Sequence, residues 1–360
     1  MKKILLTIIA VVLAVISVQA QRLEVVDSDG NGVAYASVLN SDAEYVGITD
    51  LDGVVADLAG CTDITITHVA FKSKRVKING DNVRVVLEDA DFDMPEIVVS
   101  PKPYVYVQTY YRMYYYSGKD GIIYYRTGVT DNVYDLEKKK LSASTSHMSK
   151  AEYGLIKTVM GMFGSLFDRQ SRISTQKMEN RLISRGKAVQ LKITDAGPHK
   201  KNIIDNKGTI GHITDDMDSH QRYFAYNTHI LARHLLEAGG DAKSLEKKKK
   251  RDEKKKDRKD MDFCIYHIDD AGNYAPEDLM VMQYMSSWDE VEEGETDHVI
   301  TALQVFSTDR AYVTKDELKK RKKDNKIKMN YANIQQFERD HNIPALAPSV
   351  QQKLDELCKK

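Results

Sequence analysis

The chain has 360 residues, and its 53 lysines and arginines balance 53 aspartates and glutamates. That balance argues against bulk attraction to nucleic acid or to an acidic surface, and the length suffices for two or three domains. The three cysteines, Cys61, Cys264 and Cys358, are odd in number and far apart. Export would permit a disulfide, but a chain of this size folds without one.

Met1-Lys2-Lys3 is followed by an apolar run from Ile4 to Val18, and Val18-Gln19-Ala20 places small residues at the −3 and −1 positions. A basic start, an apolar centre and a small-residue site predict a signal peptide over residues 1–20, with the mature chain beginning at Gln21. The run is shorter than the roughly twenty residues that span a bilayer, so no transmembrane span is expected in the mature chain.

From Arg22 to Ser100, apolar and polar residues alternate in short runs. Ile64 and Ile66 alternate with Thr65 and Thr67; Val83, Val85 and Leu87 face away from Arg84 and Glu88, with Val86 an exception. Period two predicts half-buried antiparallel strands. Asp27 to Gly32, Asp50 to Gly53 and Asn79 to Asn82 supply the turns, because Asp, Asn and Gly tolerate positive φ or hydrogen-bond their own backbone. About seven strands spaced in this way predict a small β-sandwich.

The series Val26-Asp27, Asp29-Gly30, Ala36-Ser37-Val38, Gly47-Ile48-Thr49-Asp50-Leu51-Asp52-Gly53 and Pro95-Glu96-Ile97-Val98-Val99 resembles the carboxypeptidase regulatory-like domain. The resemblance covers residues 22–100. Val54-Val55 and Ala70-Phe71 depart from it, standing where an aromatic and a Gly-Tyr pair are usual. It implies a transthyretin-type (prealbumin-like) all-β sandwich, an accessory module of envelope proteins with no peptidase activity of its own.

Pro101-Lys102-Pro103 reads as a linker, since proline holds itself and its predecessor extended. Residues 104–360 are expected to form an α+β domain with antiparallel strands and several helices, of no family that the sequence suggests. Its first stretch is rich in tyrosine. Tyr104, Tyr106, Tyr110, Tyr114 and Tyr116 share one strand parity, Ser117 to Gly121 makes a hairpin turn, and the chain returns as a second strand. Such a face either fills a core with its hydroxyls at the edge or stacks on a ligand such as a sugar ring. These five residues are the candidate binding surface.

Strands are further expected within Val133 to Ser146, Ala188 to Thr194, Phe263 to Ile268, Leu279 to Met285 and His298 to Phe306. Helices are expected from the Ser149–Glu152 capping box through Phe167, over Tyr223 to Ala238, after the Thr314–Glu317 capping box, and over Ile334 to Asp340 and Val350 to Leu357. Residues 243–260 carry eleven basic against five acidic side chains. They read as a solvated helix extension or insert, or as a contact for anionic envelope polymers.

Chemical motifs are sparse. His234-Leu235-Leu236-Glu237, with His341 further on, is a His-x-x-Glu pair of the kind that holds zinc, but it sits in a leucine-rich helical setting. Asp27-x-Asp29-x-Asn31-Gly32 begins like a calcium loop, yet Val38 stands at the twelfth position where a bidentate acid is needed. No metal and no cofactor are implied. No nucleophile elbow, phosphate loop, dinucleotide loop or Cys-x-x-Cys occurs.

The sequence therefore predicts an exported protein of the periplasm, outer membrane or cell surface. Its expected role is non-catalytic binding or scaffolding toward an envelope protein, polysaccharide or peptide, with no nucleic acid involved. A hydrolase with an unmarked site in residues 104–360, and an accessory factor of an outer-membrane transporter acting in trans, are the alternatives.

Overall fold

A computed structural model describes residues 21–58, 60–92, 100–152, 172–227, 255–292, 294–324 and 331–359. The expected signal peptide, the Pro95–Val99 strand, the helix through Phe167 and the His234–Glu237 pair lie outside these residues. The chain divides into two compact units between Asp89 and Ala90.

Unit 1 holds seven strands: β1 (Arg22–Val26), β2 (Ser37–Asn40), β3 (Tyr45–Ile48), β4 (Val54–Val55), β5 (Asp63–His68), β6 (Phe71–Lys77) and β7 (Asn82–Val86). They form a β4-β1-β7 sheet and a β3-β2-β5-β6 sheet. The pairs are antiparallel except β1 with β7, which is parallel. Leu23 and Val25 of the first sheet share one core with Val38, Ile64 and Ile66 of the second. The alternation has its anticipated effect: Val85 and Leu87 are buried while Val86 is exposed.

Aspartates organise the turns. The Asp27 carboxylate accepts the amides of Asp29 and Asn31 at 3.0 and 2.7 Å, and Asp50 accepts those of Asp52 and Val54 at 3.0 and 2.9 Å. Gly53 has φ +79°, and a Cβ there would sit 2.3 Å from the Val25 carbonyl oxygen. Neither the backbone angle nor the space suits a side chain. Gly53→Ala should therefore destabilise unit 1 by more than about 1 kcal/mol. The readout is faster hydrogen exchange of the β1 amides, and unchanged exchange would contradict it.

Unit 2 is dominated by one ten-stranded antiparallel sheet. In chain order its elements are β8 (Tyr104–Ser117), β9 (Gly121–Asp135), β10 (Lys140–Glu152), α1 (Met178–Arg185), β11 (Lys192–Gly197), β12 (Lys200–Ile204), β13 (Thr209–Asp216), β14 (Gln221–Asn227), β15 (Lys255–His267), β16 (Leu279–Glu292), β17 (Glu295–Val313), α2 (Lys315–Asp324), α3 (Tyr331–Asp340) and α4 (Pro348–Lys359). The strand order is 10-9-8-17-16-15-14-13-12-11, so β17 sits between β8 and β16 at the middle of the sheet.

Three expectations are corrected. Ser149–Glu152 does not start a helix: it continues β10, where Ser149 to Glu152 pair with Thr127 to Tyr124 of β9. Tyr223 to Asn227 belong to strand β14, not to a helix. The basic run does not end in a solvated helix: Lys255 and Lys256 open β15 opposite Glu290 and Asp289 of β16, and the Lys255 ammonium lies 3.6 Å from the centre of the Trp288 ring. The cation–π contact holds Lys255 in the ladder, while the exposed Lys256 stands opposite an acidic residue across it. The Thr314 box does form, with Thr314 N–H donating to Glu317 at 2.6 Å and Glu317 N–H to the Thr314 hydroxyl at 3.3 Å.

Both faces of the central strand β8 are buried. On the face that carries the tyrosines, α3 and α4 lie over β9 and β10. On the opposite face, Ile173, Met178, Leu182, Val189 and Leu191 cover Val105, Val107, Ile213, Phe224 and Tyr266.

Candidate functional site

Tyr104, Tyr106, Tyr110, Tyr114 and Tyr116 do share one face of β8, but they do not form an exposed shelf. Tyr106 and Tyr110 are fully buried, Tyr114 and Tyr116 nearly so, and Tyr104 is half-buried. The reason is topological: β8 is an interior strand of the large sheet and not an arm of a free hairpin. The hydroxyls find protein partners. Tyr106 donates to Asp131 at 2.7 Å and Tyr110 to Glu338 of α3 at 2.8 Å. Burial raises the pKa of both phenols, so they stay protonated donors.

Between Tyr110 and Tyr114 lies Arg112, at 2% exposure the most consequential buried charge of the tyrosine face. Its Nε donates to Gln304 at 2.7 Å, Nη1 to Glu338 at 3.1 Å and Nη2 to the Pro344 carbonyl at 2.8 Å. Gln304 passes the chain on, donating to Gln283 at 2.9 Å. The guanidinium also lies 5.4 Å from the centre of the Phe306 ring. Burial is the largest influence and works to lower the Arg112 pKa, but Glu338 together with Tyr110, Tyr125 and Tyr114 outweighs it, so the guanidinium stands above its ordinary value. This network ties three strands to α3 and the loop after it. With each of its three nitrogens bonded, Arg112 is placed to hold α3 and the loop after it on the sheet.

The opposite face carries a second polar cluster, on β15. Asp260, Asp262, Cys264 and Tyr266 alternate onto one face of that strand. Asp262 pairs across with Tyr226 of β14 and Tyr284 of β16, and Asp260 pairs with Ser286. Asp260, 1% exposed, accepts Arg258 Nε at 3.0 Å, Tyr284 OH at 3.2 Å and the Ser286 hydroxyl in a shorter contact. A register shift between Lys256 and Lys259 lets Arg258 pair with a carboxylate two positions along its own strand.

Asp262 lies between these groups and α1. Burial pushes its carboxyl up to about 7; the Tyr226 hydrogen bond and Arg181 oppose the shift, Asp260 adds to it, and Arg185 opposes it. Burial, together with Asp262, also holds the Cys264 thiol protonated. The Tyr226 hydroxyl reaches the Met178 sulfur at 3.7 Å, which sets the first turn of α1 over the cluster. Here a carboxyl group raised to about 7 stands beside a second carboxylate, Asp260; Glu277, beside Asp278, is raised as well. Ser286 bonds to a carboxylate and not to an imidazole, so the cluster contains an acid–base group without an activated nucleophile.

The remaining candidates have structural surroundings. His341 places Nδ1 2.9 Å from the Phe337 carbonyl, and its ring stacks on Phe337 at 4.1 Å. Asp27 spends its carboxylate on its own turn. Among the described residues no group of three or more His, Cys, Asp or Glu is placed to hold a metal. Cys61 and Cys264 are free thiols. Sequence reasoning missed Arg112, Glu338, Asp260 and Asp262. The available signals were an arginine inside an otherwise apolar-aromatic strand and the Asp-x-Asp-x-Cys-x-Tyr alternation.

No protein-family model matches the sequence, and no curated protein is similar to it. Among the described residues no helix is long and apolar enough to cross a membrane.

Proposed function

We propose that this chain is an exported cell-envelope protein with a non-catalytic binding or scaffolding role toward an envelope protein, polysaccharide or peptide. In this reading unit 1 is a transthyretin-type sandwich of the carboxypeptidase regulatory-like kind, and unit 2 is the larger frame that it accompanies. The two sheets of unit 1 around a shared core support the first part. The observation that carries the second is that four arginines, buried or half-buried on the large sheet, are each held in an ion pair with a carboxylate. Arg112 holds Glu338, Arg258 holds Asp260, Arg310 holds Asp278, and Arg222 holds both Asp215 and Glu179. Groups locked in ion pairs are frame elements; catalysis needs a group left available to a substrate.

The test is a panel of peptide, ester and glycoside substrates offered to purified residues 21–360, with no turnover expected. A second reading, a hydrolase of acid–base type, is favoured by the Asp262–Asp260 pair. Turnover that is abolished in both Asp262→Asn and Asp260→Asn would establish it and end the first.

A further inference from the structure

The lower end of the large sheet brings together two lysine-rich segments that are remote in sequence. One is the β9–β10 turn, Leu136-Glu137-Lys138-Lys139-Lys140; the other is α2, which carries six cations from Lys315 to Lys323. Residues 102 and 103 join them. The Leu136 amide donates to the Pro103 carbonyl at 3.0 Å, and the neighbouring Lys102 ammonium donates to Glu317 of α2 at 2.8 Å. Leu318 anchors α2 on the core of Tyr106, Val133 and Val313, and Arg321 lies over the Tyr106 ring while pairing with Asp309. These contacts use one side of the helix. Lys320 and Lys323 remain exposed on α2, as do Lys139 and Lys140 on the turn. At the same turn Leu136 is one of three large apolar side chains exposed among the described residues, at 38%.

These segments hold ten cations against four carboxylates, or six with Asp135 and Asp309, which pair with Lys138 and Arg321, in a chain whose formal charge is zero. Exposed lysines at the same end of the sheet as an exposed leucine are the chemistry of a lipid-water interface: ammonium groups meet headgroup phosphates and the apolar side chain enters the acyl boundary. The geometry points to this end of unit 2, formed by the β9–β10 turn and α2, as a docking face for an anionic lipid surface. The inference rests on the envelope reading for where such a surface is met. Vesicle binding is measured on the purified protein, so a negative result would leave the binding role itself standing.

The experiment uses residues 21–360 and co-sedimentation with vesicles of phosphatidylcholine, with and without phosphatidylglycerol. The protein should bind the anionic vesicles at least about tenfold more tightly and be released by high salt. The combined variant Lys139→Gln, Lys140→Gln, Lys320→Gln and Lys323→Gln should lose at least about tenfold in binding to anionic vesicles, since each lysine contributes separately. Leu136→Ser should weaken binding at every salt concentration and leave the salt dependence unchanged. All five side chains are exposed, so an unchanged melt is expected and serves as the folding control. Absence of binding, equal binding to both vesicles, or an unaffected quadruple variant would each overturn the assignment. So would a silent Leu136→Ser variant whose parent binds dextran sulfate more tightly than vesicles; the face would then serve a soluble polyanion.

Discussion

Asp262→Asn should stabilise unit 2 at pH 8 and leave it nearly unchanged at pH 4. The folded carboxyl titrates near 7 and the unfolded one near 4. Between those values the folded state keeps a proton that the unfolded state has lost, so stability falls as pH rises through this window and levels off above it. Three units correspond to at most about 4 kcal/mol, and relaxation around the charge reduces this to roughly 1–3 kcal/mol. Asparagine keeps the shape and the acceptor offered to Tyr226 but carries no charge at any pH. Trp288 is the single tryptophan and lies in β16, so the urea midpoint read from its fluorescence reports unit 2 alone. A variant that loses stability equally at both pH values would show instead that the carboxylate is ionised and held by Arg181.

Arg112→Ala should cost about 3–5 kcal/mol, because it leaves Glu338 without its cation at 13% side-chain exposure and strands the Gln304 and Pro344 acceptors. Arg112→Met combined with Glu338→Leu should recover the part of that loss due to the unpaired Glu338 charge, and not the part due to Gln304, Pro344 and the Tyr110 hydroxyl, which still lack partners. The same fluorescence midpoint decides it. A loss below about 1 kcal/mol for Arg112→Ala would mean that water reaches the network and that α3 is not held by it.

The legible parts of the fold were those in which a residue's own neighbours dictate its state. Asp27 and Asp50 close turns with amides two and four positions away, and Thr314 with Glu317 closes a helix start. Ile64 and Ile66 show their buried face by alternation alone. The illegible parts depend on remote chain. Ser149 and Glu152 satisfy a helix-start pattern, but β9 offers a full ladder of partners and pairing prevails over local preference. Lys255 reads as solvated because Trp288, which it covers, lies on another strand. Strands β12 and β13 escaped notice because they are largely polar, and the strand expected within Ala188 to Thr194 meets only the first residues of β11.

The candidate site obeys the same division. Asp260 and Asp262 stand at the end of a lysine-rich run, where their charges blend into the composition and their alternation with Cys264 and Tyr266 is masked. Arg112 among tyrosines reads as the one residue that must point to water. It is buried because its counter-charge, Glu338, arrives 226 positions later. The tyrosines beside it were readable as a strand, but whether that strand lay at an edge or inside a sheet was decided by β17.

The place of β17 also fixes an order of events. It bonds to β8 on one side and β16 on the other, and Thr308 meets Gln108 across 200 positions. Before β17 is available, β8–β10 and β11–β16 can form only as two separate ladders, each with an open inner edge. Open edges pair with whatever strand is at hand, and closing so long a loop is slow. A chain cut before residue 295 should therefore keep much of its strand content and still aggregate, whereas one cut after Val313 retains every strand of the sheet. Until the seventeenth strand is delivered, the molecule depends on being shielded from its own copies.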